Sequence, residues 1–330
     1  MSKILIIGGA GLLGMHLAPV LSKSGHEVAL CDNFSGSLRY RTPTEYRIFV
    51  ANAMDANAMQ HPVGVFQPDI VILGVEHYFS RDVVYKFSEE SKLVLDSANV
   101  LCSVLGRKVK HVYFCSTSEV YGGPQTSRPL AETRKISRSA THYGTAKLAA
   151  EKLLEYRCKE LGIGFTALRI FDMYGPRIRF SRRAAVVSFL IESLLRNDPI
   201  GLSGARCLRD FIHVEDVVSA FVGIIKSDFS GTVNIGTGKG MSLKTLAEEL
   251  GKHINILEKI QEQPRFPLRH FSTVAKTSLL DSLLPNGWKP QHSLKDDLPA
   301  LVEFREKELN FAATADPKTV LNIMRGVKGA

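Results

Sequence analysis

At 330 residues with 45% hydrophobic content, the chain is long enough to bury a sizeable core, and one larger domain with a smaller second lobe is expected. The formal charge of +9 is spread along the sequence without a long basic block, so a nucleic-acid partner has only net charge behind it and is not expected. The five cysteines (Cys31, Cys102, Cys115, Cys158 and Cys207) are never spaced as CxxC or set beside a histidine cluster; they indicate neither a disulfide framework nor a metal site and fit a reducing cytoplasm.

Lys3–Gly8 is a short apolar run ending in glycine, and Leu12–Ser22 reads as an amphipathic helix, giving strand, glycine-rich turn and helix. Because this run passes straight into glycines and no long apolar span occurs elsewhere, neither export nor a membrane-spanning segment is expected. Glu27–Cys31 is a second strand, ending in Asp32. Apolar runs at Arg47–Val50, Asp69–Leu73 and His111–Cys115 alternate with helical segments, among them Arg81–Leu105. Tyr143–Leu161 comes next as a long helix rich in Ala, Leu, Lys and Glu, and Phe165–Phe171 as another buried strand. Strands separated by helices make a parallel, doubly wound sheet. At Tyr174-Gly175-Pro176 the regular pattern breaks. The division expected is a dinucleotide-binding domain over 1–174 with later segments returning to it, a second lobe mainly over 175–312, and a peripheral tail over 313–330.

Gly8-Gly9-Ala10-Gly11-Leu12-Leu13-Gly14 spaces its glycines as GxxGxxG between strand and helix, where backbone must approach a pyrophosphate at the positive helix end. Asp32, ending the second strand, is placed to accept hydrogen bonds from ribose hydroxyls and would repel a 2′-phosphate, which favours NAD over NADP. Tight packing without a ligand and an ordinary turn aspartate are the rival readings. Tyr143-Gly144-Thr145-Ala146-Lys147 sets a phenol and an ammonium on one helix face. A nearby cation lowers a phenol's pKa, letting the tyrosine remove a hydroxyl proton as hydride leaves for a nicotinamide. An exposed Tyr and Lys with no joint role is the alternative.

Taken in order, GGAGLLG, CDNFSGS, STSEVYG, YGTAK, RIFDMYGPR, LRDFIHVEDV and NIGTGKGMSL resemble the extended short-chain dehydrogenase/reductases, in particular the nucleotide-sugar epimerase/dehydratase family, over roughly Lys3 to Glu303. The resemblance implies an α/β fold: a Rossmann-type doubly wound parallel sheet with a smaller C-terminal α/β substrate-binding lobe. It implies NAD held by Gly8, Gly11, Leu12, Leu13, Gly14, Asp32, Asn33, Asn52, Ala53, Tyr143 and Lys147, and no metal. It implies that Thr117 bonds the sugar hydroxyl, Tyr143 acts as base and Lys147 as its partner, with Glu119 a further acid/base or a carboxylate that only orders its loop. Asn52 either contacts the adenine or caps the helix after it. Asp172, Arg177, Arg209 and Arg269 fall near the family's diphosphate site, with surface ion pairs the rival reading for the arginines. Asp210, His213 and Asp216 are expected to hold their loop and the adjoining helix in place.

The sequence departs from the family pattern at several positions. Asp172 stands where an asparagine usually donates toward the diphosphate, and an ionised carboxylate cannot donate; Arg177, Arg179 or Arg209 would have to neutralise it, or the sugar carrier differs. Gly74-Val75-Glu76-His77-Tyr78 replaces the small-residue loop after the fourth strand, and His77 either lines the site or packs. Ser118 occupies the place where one dehydratase subgroup has an aspartic acid. The expected activity is a C4 epimerisation of a nucleotide sugar through a 4-keto intermediate. A 4,6-dehydratase or decarboxylase using Glu119 is the alternative within the family, and a non-catalytic NAD sensor or scaffold the alternative outside it. A cytoplasmic homodimer is expected, pairing the YxxxK helix with the Arg81–Leu105 helix; Leu148, Leu153 and Leu154 offer apolar surface for it.

Overall fold

The computed structural model describes residues 1–35, 45–76, 87–122, 128–136, 141–176, 186–198, 200–202, 204–254, 260–262, 272–284 and 287–314. Strand β1 (Lys3–Ile7) is central, flanked by β2 (Glu27–Asp32) and then β3 (Arg47–Val50) on one side. On the other side lie β4 (Ile70–Leu73), β5 (His111–Thr117) and β6 (Gly164–Ile170), every pair parallel. Register places Ile7 beside both Cys31 and Leu73, so the strand ends that precede the glycine turn, Asp32 and Gly74 form one edge. Strand order reverses between β1 and β4, and the crevice outside the carboxyl ends of such strands is where ligands bind in this architecture.

Helices cover both faces. Helix α1 (Leu12–Lys23) lies against one, while α2 (Ala56–Phe66), α3 (Phe87–Val104) and α4 (His142–Leu161) cover the other. The sheet's two sides therefore have separate apolar cores, one with Ile4, Ile6, Leu17 and Leu21, the other with Leu5, Ile7, Val94, Ala150 and Leu154. Burial on both faces explains why β4 is apolar throughout, without alternation. Part of the predicted Arg81–Leu105 helix, residues 81–86, lies outside the described residues.

Beyond Ile170 the chain forms short pairs: β7 (Asp172–Tyr174), helix α5 (Val186–Leu195), β8 (Ile200–Leu202), β9 (Leu208–Arg209) and β10 (Phe211–His213), with β10 parallel to β7. Helix α6 (Val214–Ser227) then packs beside α1, and β11 (Gly231–Ile235) joins the main sheet next to β6. After β12 (Met241–Ser242), α7 (Leu243–Gly251), β13 (Ile260–Glu262) and α8 (Ser278–Leu283), the described chain ends in α9 (Leu294–Thr314). A third apolar cluster joins α5, α7 and α9 through Leu190, Leu194, Leu246, Leu250 and Leu298, giving the smaller lobe its own core. No described helix is long and apolar enough to cross a membrane.

One buried ion pair ties α4 to the sheet. Arg169 on β6 grips Glu151 with both Nε (3.1 Å) and Nη2 (2.8 Å), Ser116 on β5 donates to the same carboxylate, and the guanidinium lies 4.8 Å from the Tyr121 ring centroid. Removing one member of such a pair leaves the other's charge buried and uncompensated. Glu151→Ala is therefore expected to lower stability by about 3–5 kcal/mol, read by urea unfolding at a fixed NAD concentration.

Candidate active site

The glycine turn has no space for side chains. Gly8 adopts φ +82°, donates to the Cys31 carbonyl at 2.8 Å, and a Cβ there would lie 2.6 Å from the Gly74 carbonyl oxygen. A Cβ on Gly14 would lie 2.7 Å from Gly9 Cα, so α1 rests directly on the turn. Gly11 at its N-cap brings no side chain, and no acidic residue occupies the first turn, so backbone N–H groups and the positive end of the helix are presented toward the cleft. Asp32 accepts from the amides of Ala10 (3.0 Å) and Phe34 (2.7 Å), which draws the turn toward the end of β2. Asn33 accepts from the amide and hydroxyl of Ser35. Asn52 accepts from the Met54 amide, whereas α2 is capped by Asp55, which receives Asn57 and Ala58; the reading of Asn52 as that helix's cap is thereby corrected.

Gly8, Gly11, Leu12, Leu13, Gly14, Asp32, Asn33, Asn52, Ala53, Thr117, Glu119, Tyr143 and Asp172 all line one cavity of about 330 Å³. An elongated dinucleotide fits this donor set: a side-chain-free turn and open helix end for its diphosphate, and an acceptor carboxylate at the end of β2 for a ribose.

At the far end of the cavity, Thr117 ends β5 and accepts from the Glu119 amide at 3.3 Å, starting the 3-10 turn Ser118–Tyr121. Glu119 is buried and accepts from the Thr141 hydroxyl at 2.6 Å; Thr141 in turn caps α4 by accepting the Gly144 amide at 2.9 Å. This carboxylate thus fixes the start of the helix that carries Tyr143. Lys147, 1% exposed, donates to the Cys115 carbonyl at 2.7 Å and lies 5.4 Å from the Tyr143 ring centroid, so helical spacing does bring ammonium and phenol together.

The ionisation of Tyr143 differs from what the spacing predicts. Its hydroxyl donates to Glu76 Oε1 at 2.8 Å, and that same oxygen stands 3.8 Å from Lys147 Nζ. Burial, and after it the Glu76 charge, pushes the phenol well above its ordinary pKa instead of below it. Glu76 is the residue at this site that sequence reasoning did not single out, although an acid in a loop where the family carries small residues was the available signal.

Asp172 is met by Arg209, whose Nη1 lies 3.6 Å from Oδ2, and Thr273 bridges the two side chains at 3.5 and 3.2 Å. Arg209 is buried, so the surface ion-pair reading does not hold for it. Asp210 is fully buried and accepts from Thr237, Gly238 and Ala275; Asp216 accepts the amides of Gln291 and His292; His213 caps α6 by accepting the Glu215 amide. Arg177, Arg179, Arg269 and His77 lie outside the described residues.

Comparison with known proteins agrees with this geometry. The model of the NAD dependent epimerase/dehydratase family matches residues 4–236. The chain belongs to that family. It is 26% identical over 321 residues to a UDP-glucose 4-epimerase of Corynebacterium glutamicum, covering 91% of this chain and 94% of that one. It is 30% identical over 319 residues to a UDP-N-acetyl-alpha-D-glucosaminuronate decarboxylase of Bacillus cytotoxicus, with 91% of each chain covered. The structure of a Thermus thermophilus UDP-glucose 4-epimerase in complex with NAD superposes with TM-score 0.82 at 25% identity, over 92% of this chain and 99% of that one. The protein is an enzyme and its cofactor is NAD.

Thr141 joins the buried Glu119 carboxylate to the start of α4. Thr141→Val removes both bonds and is expected to cost about 1–3 kcal/mol in denaturant unfolding, with Thr141→Ser retaining most of the stability.

Proposed function

We propose that this enzyme is a nucleotide-sugar 4-epimerase working through a transient 4-keto sugar. The observation that carries the reading is that Thr117 and Tyr143 line the same cavity as the glycine turn, with the Lys147 ammonium 5.4 Å from the Tyr143 ring centroid. Bound NAD supplies the hydride acceptor. Tyr143 takes the proton of the C4 hydroxyl, Thr117 bonds the same oxygen and Lys147 holds the nicotinamide ribose; Gly8, Gly11, Leu12, Leu13 and Gly14 cradle the diphosphate, Asp32 and Asn33 the adenosine ribose, and Asn52 and Ala53 the adenine. In the second half, the ketone would turn within the cavity so that hydride returns to C4 from the opposite face, while Tyr143 returns the proton to the C4 oxygen. Asp172, which lines the cavity, and Arg209 beside it are assigned to the sugar's own diphosphate. Their pairing supports a nucleotide carrier despite the missing asparagine, because the arginine offsets the carboxylate's repulsion.

A dehydratase or decarboxylase is favoured by a different observation, the presence of Glu119 in the same cavity. Two features weigh for the epimerase. Ser118 cannot protonate a departing hydroxyl as an aspartic acid would, and Glu90 and Glu119 add carboxylates to the described lining beyond Asp172 and Glu76, which Arg209 and Lys147 offset; this disfavours a uronate. Since the relatives named above act on UDP-sugars, UDP-glucose and UDP-N-acetylglucosamine are the first substrates to offer. Tyr143→Phe is expected to lower turnover by 10²-fold or more while NAD stays bound. Product mass then separates the outcomes: unchanged for epimerisation, with loss of water or of carbon dioxide for the alternatives. Full turnover in Tyr143→Phe overturns the mechanism.

We also propose a cytoplasmic homodimer formed through α3 and α4. These helices lie side by side, joined by the Arg157 bond to the Cys102 carbonyl. Leu154 is consumed by the chain's own core, and Leu148 and Leu153 pack partly inward; among the described residues the large apolar groups left exposed on these helices are Leu95 (37% exposed) and Tyr156 (64%). Light scattering is expected to give twice the 36.4 kDa chain mass, and Tyr156→Glu to shift it toward that of the single chain.

A further inference from the structure

We infer that Glu76 is a positioning residue for the oxidation step, holding the Tyr143 hydroxyl as a donor and accepting its proton when that oxygen receives the sugar's. The inference rests on the reading of Tyr143 as the base. The backbone leading to Glu76 is clamped: the Gly74 amide donates to the Ile7 carbonyl at 2.9 Å, and its own carbonyl abuts Gly8. From there one carboxylate oxygen faces both members of the pair, 2.8 Å from the phenol oxygen and 3.8 Å from Lys147 Nζ.

The charges around Tyr143 come from four elements. Lys147 on α4 favours phenolate; Glu76 after β4 and Glu90 on α3 oppose it. The Cys115 thiol on β5, pushed up to about 12 by burial, is neutral at physiological pH. Glu76 is in direct hydrogen bond with the phenol, so the tyrosine keeps its proton. A protonated phenol can accept a second proton only by passing its own onward, and Glu76 Oε1 is the acceptor already bonded to it. The step balances. The sugar O–H breaks and a new Oη–H forms, the former Oη–H breaks and a bond to Glu76 Oε1 forms, and the hydride leaves the same carbon for NAD. On reduction at the opposite face, Glu76 returns the proton through Tyr143.

With Glu76 as acceptor, the phenol proton has an oxygen to move to and Tyr143 need not ionise. In Glu76→Gln no acceptor remains, Tyr143 must itself ionise, and turnover rises with pH through the tyrosine's own titration. Lys147, no longer countered by Glu76, moves that titration downward.

The test uses the NAD-loaded protein labelled with ¹³Cζ-tyrosine, with Tyr143→Phe assigning the resonance. In Glu76→Gln the Tyr143 signal is expected to titrate at least about one pH unit lower than in the unaltered protein, with no sugar present. Turnover near pH 7 is expected to fall about 10²-fold, and in Glu76→Gln the remaining turnover is expected to rise toward alkali in step with the Tyr143 titration, a rise the unaltered protein does not show. A Tyr143 titration that does not move, or a turnover profile that superposes on that of the unaltered protein, overturns the role of Glu76. Full activity in Tyr143→Phe would instead overturn the base assignment beneath it.

Discussion

Two contacts between backbones, with no side chain between them, set the dimensions of the reactive edge. Gly8 meets the Gly74 carbonyl and Gly14 meets Gly9, and neither gap holds a Cβ. The first fixes how closely the end of β1 approaches the loop after β4, and so where Glu76 stands relative to α4. The second fixes how closely α1 approaches the turn, leaving its backbone N–H groups turned to the cleft. Because Cys31, Ile7 and Leu73 are in register, these distances propagate along the strand ends to Asp32 on one side and to β5 with Thr117 on the other.

Around that edge the buried carboxylates act as fasteners. Glu119 fixes the first turn of α4 through Thr141, Glu151 fixes its middle through Arg169 and Ser116, and Asp210 gathers Thr237, Gly238 and Ala275 beneath the smaller lobe. Each is hydrogen-bonded to fixed partners, the condition under which a buried charge becomes tolerable. The consequence for chemistry is that Tyr143 and Lys147 sit on a helix held at two successive points. Little of their geometry is left to side-chain freedom, which is how a site holds reacting groups in place without reorganising.

The nucleotide-binding half of the fold is legible in the sequence because its signals are local. A glycine turn between an apolar run and an amphipathic helix, or a tyrosine four residues before a lysine, is read from a short window, and the strands ending at Val50 and Leu73 end where the apolar runs do. Beyond Tyr174 the determinants of structure are not local. Strands of two or three residues such as β9 and β12 carry no periodicity and exist only through partners such as Arg209 opposite Met241. Strand β11 joins the main sheet beside β6, a pairing over some sixty residues that no window contains. The same limit explains Glu76 and Arg209. Nothing in sequence spacing says that a carboxylate after β4 reaches a phenol on α4, or which of the arginines named for Asp172 turns inward to it.

Those last two pairs bear on each other. The sequence departs from its family at Asp172 and Glu76, each time by placing a negative charge in the cleft, and each is matched by a cation at hand: Arg209 at 3.6 Å and Lys147 at 3.8 Å. Distances of this order are longer than a tight hydrogen-bonded pair, so each charge is offset while the cation keeps a separate bond, Lys147 to the Cys115 carbonyl and Arg209 to Thr273. In the proposed roles, Arg209 would meet a diphosphate with its charge already balanced, and Lys147 would act on a phenol that a carboxylate also holds. A site built in this way binds by hydrogen-bond geometry more than by excess positive charge. On the proposed mechanism, its proton transfers would be governed by which oxygen the shared proton sits on, more than by how far one cation can depress the tyrosine.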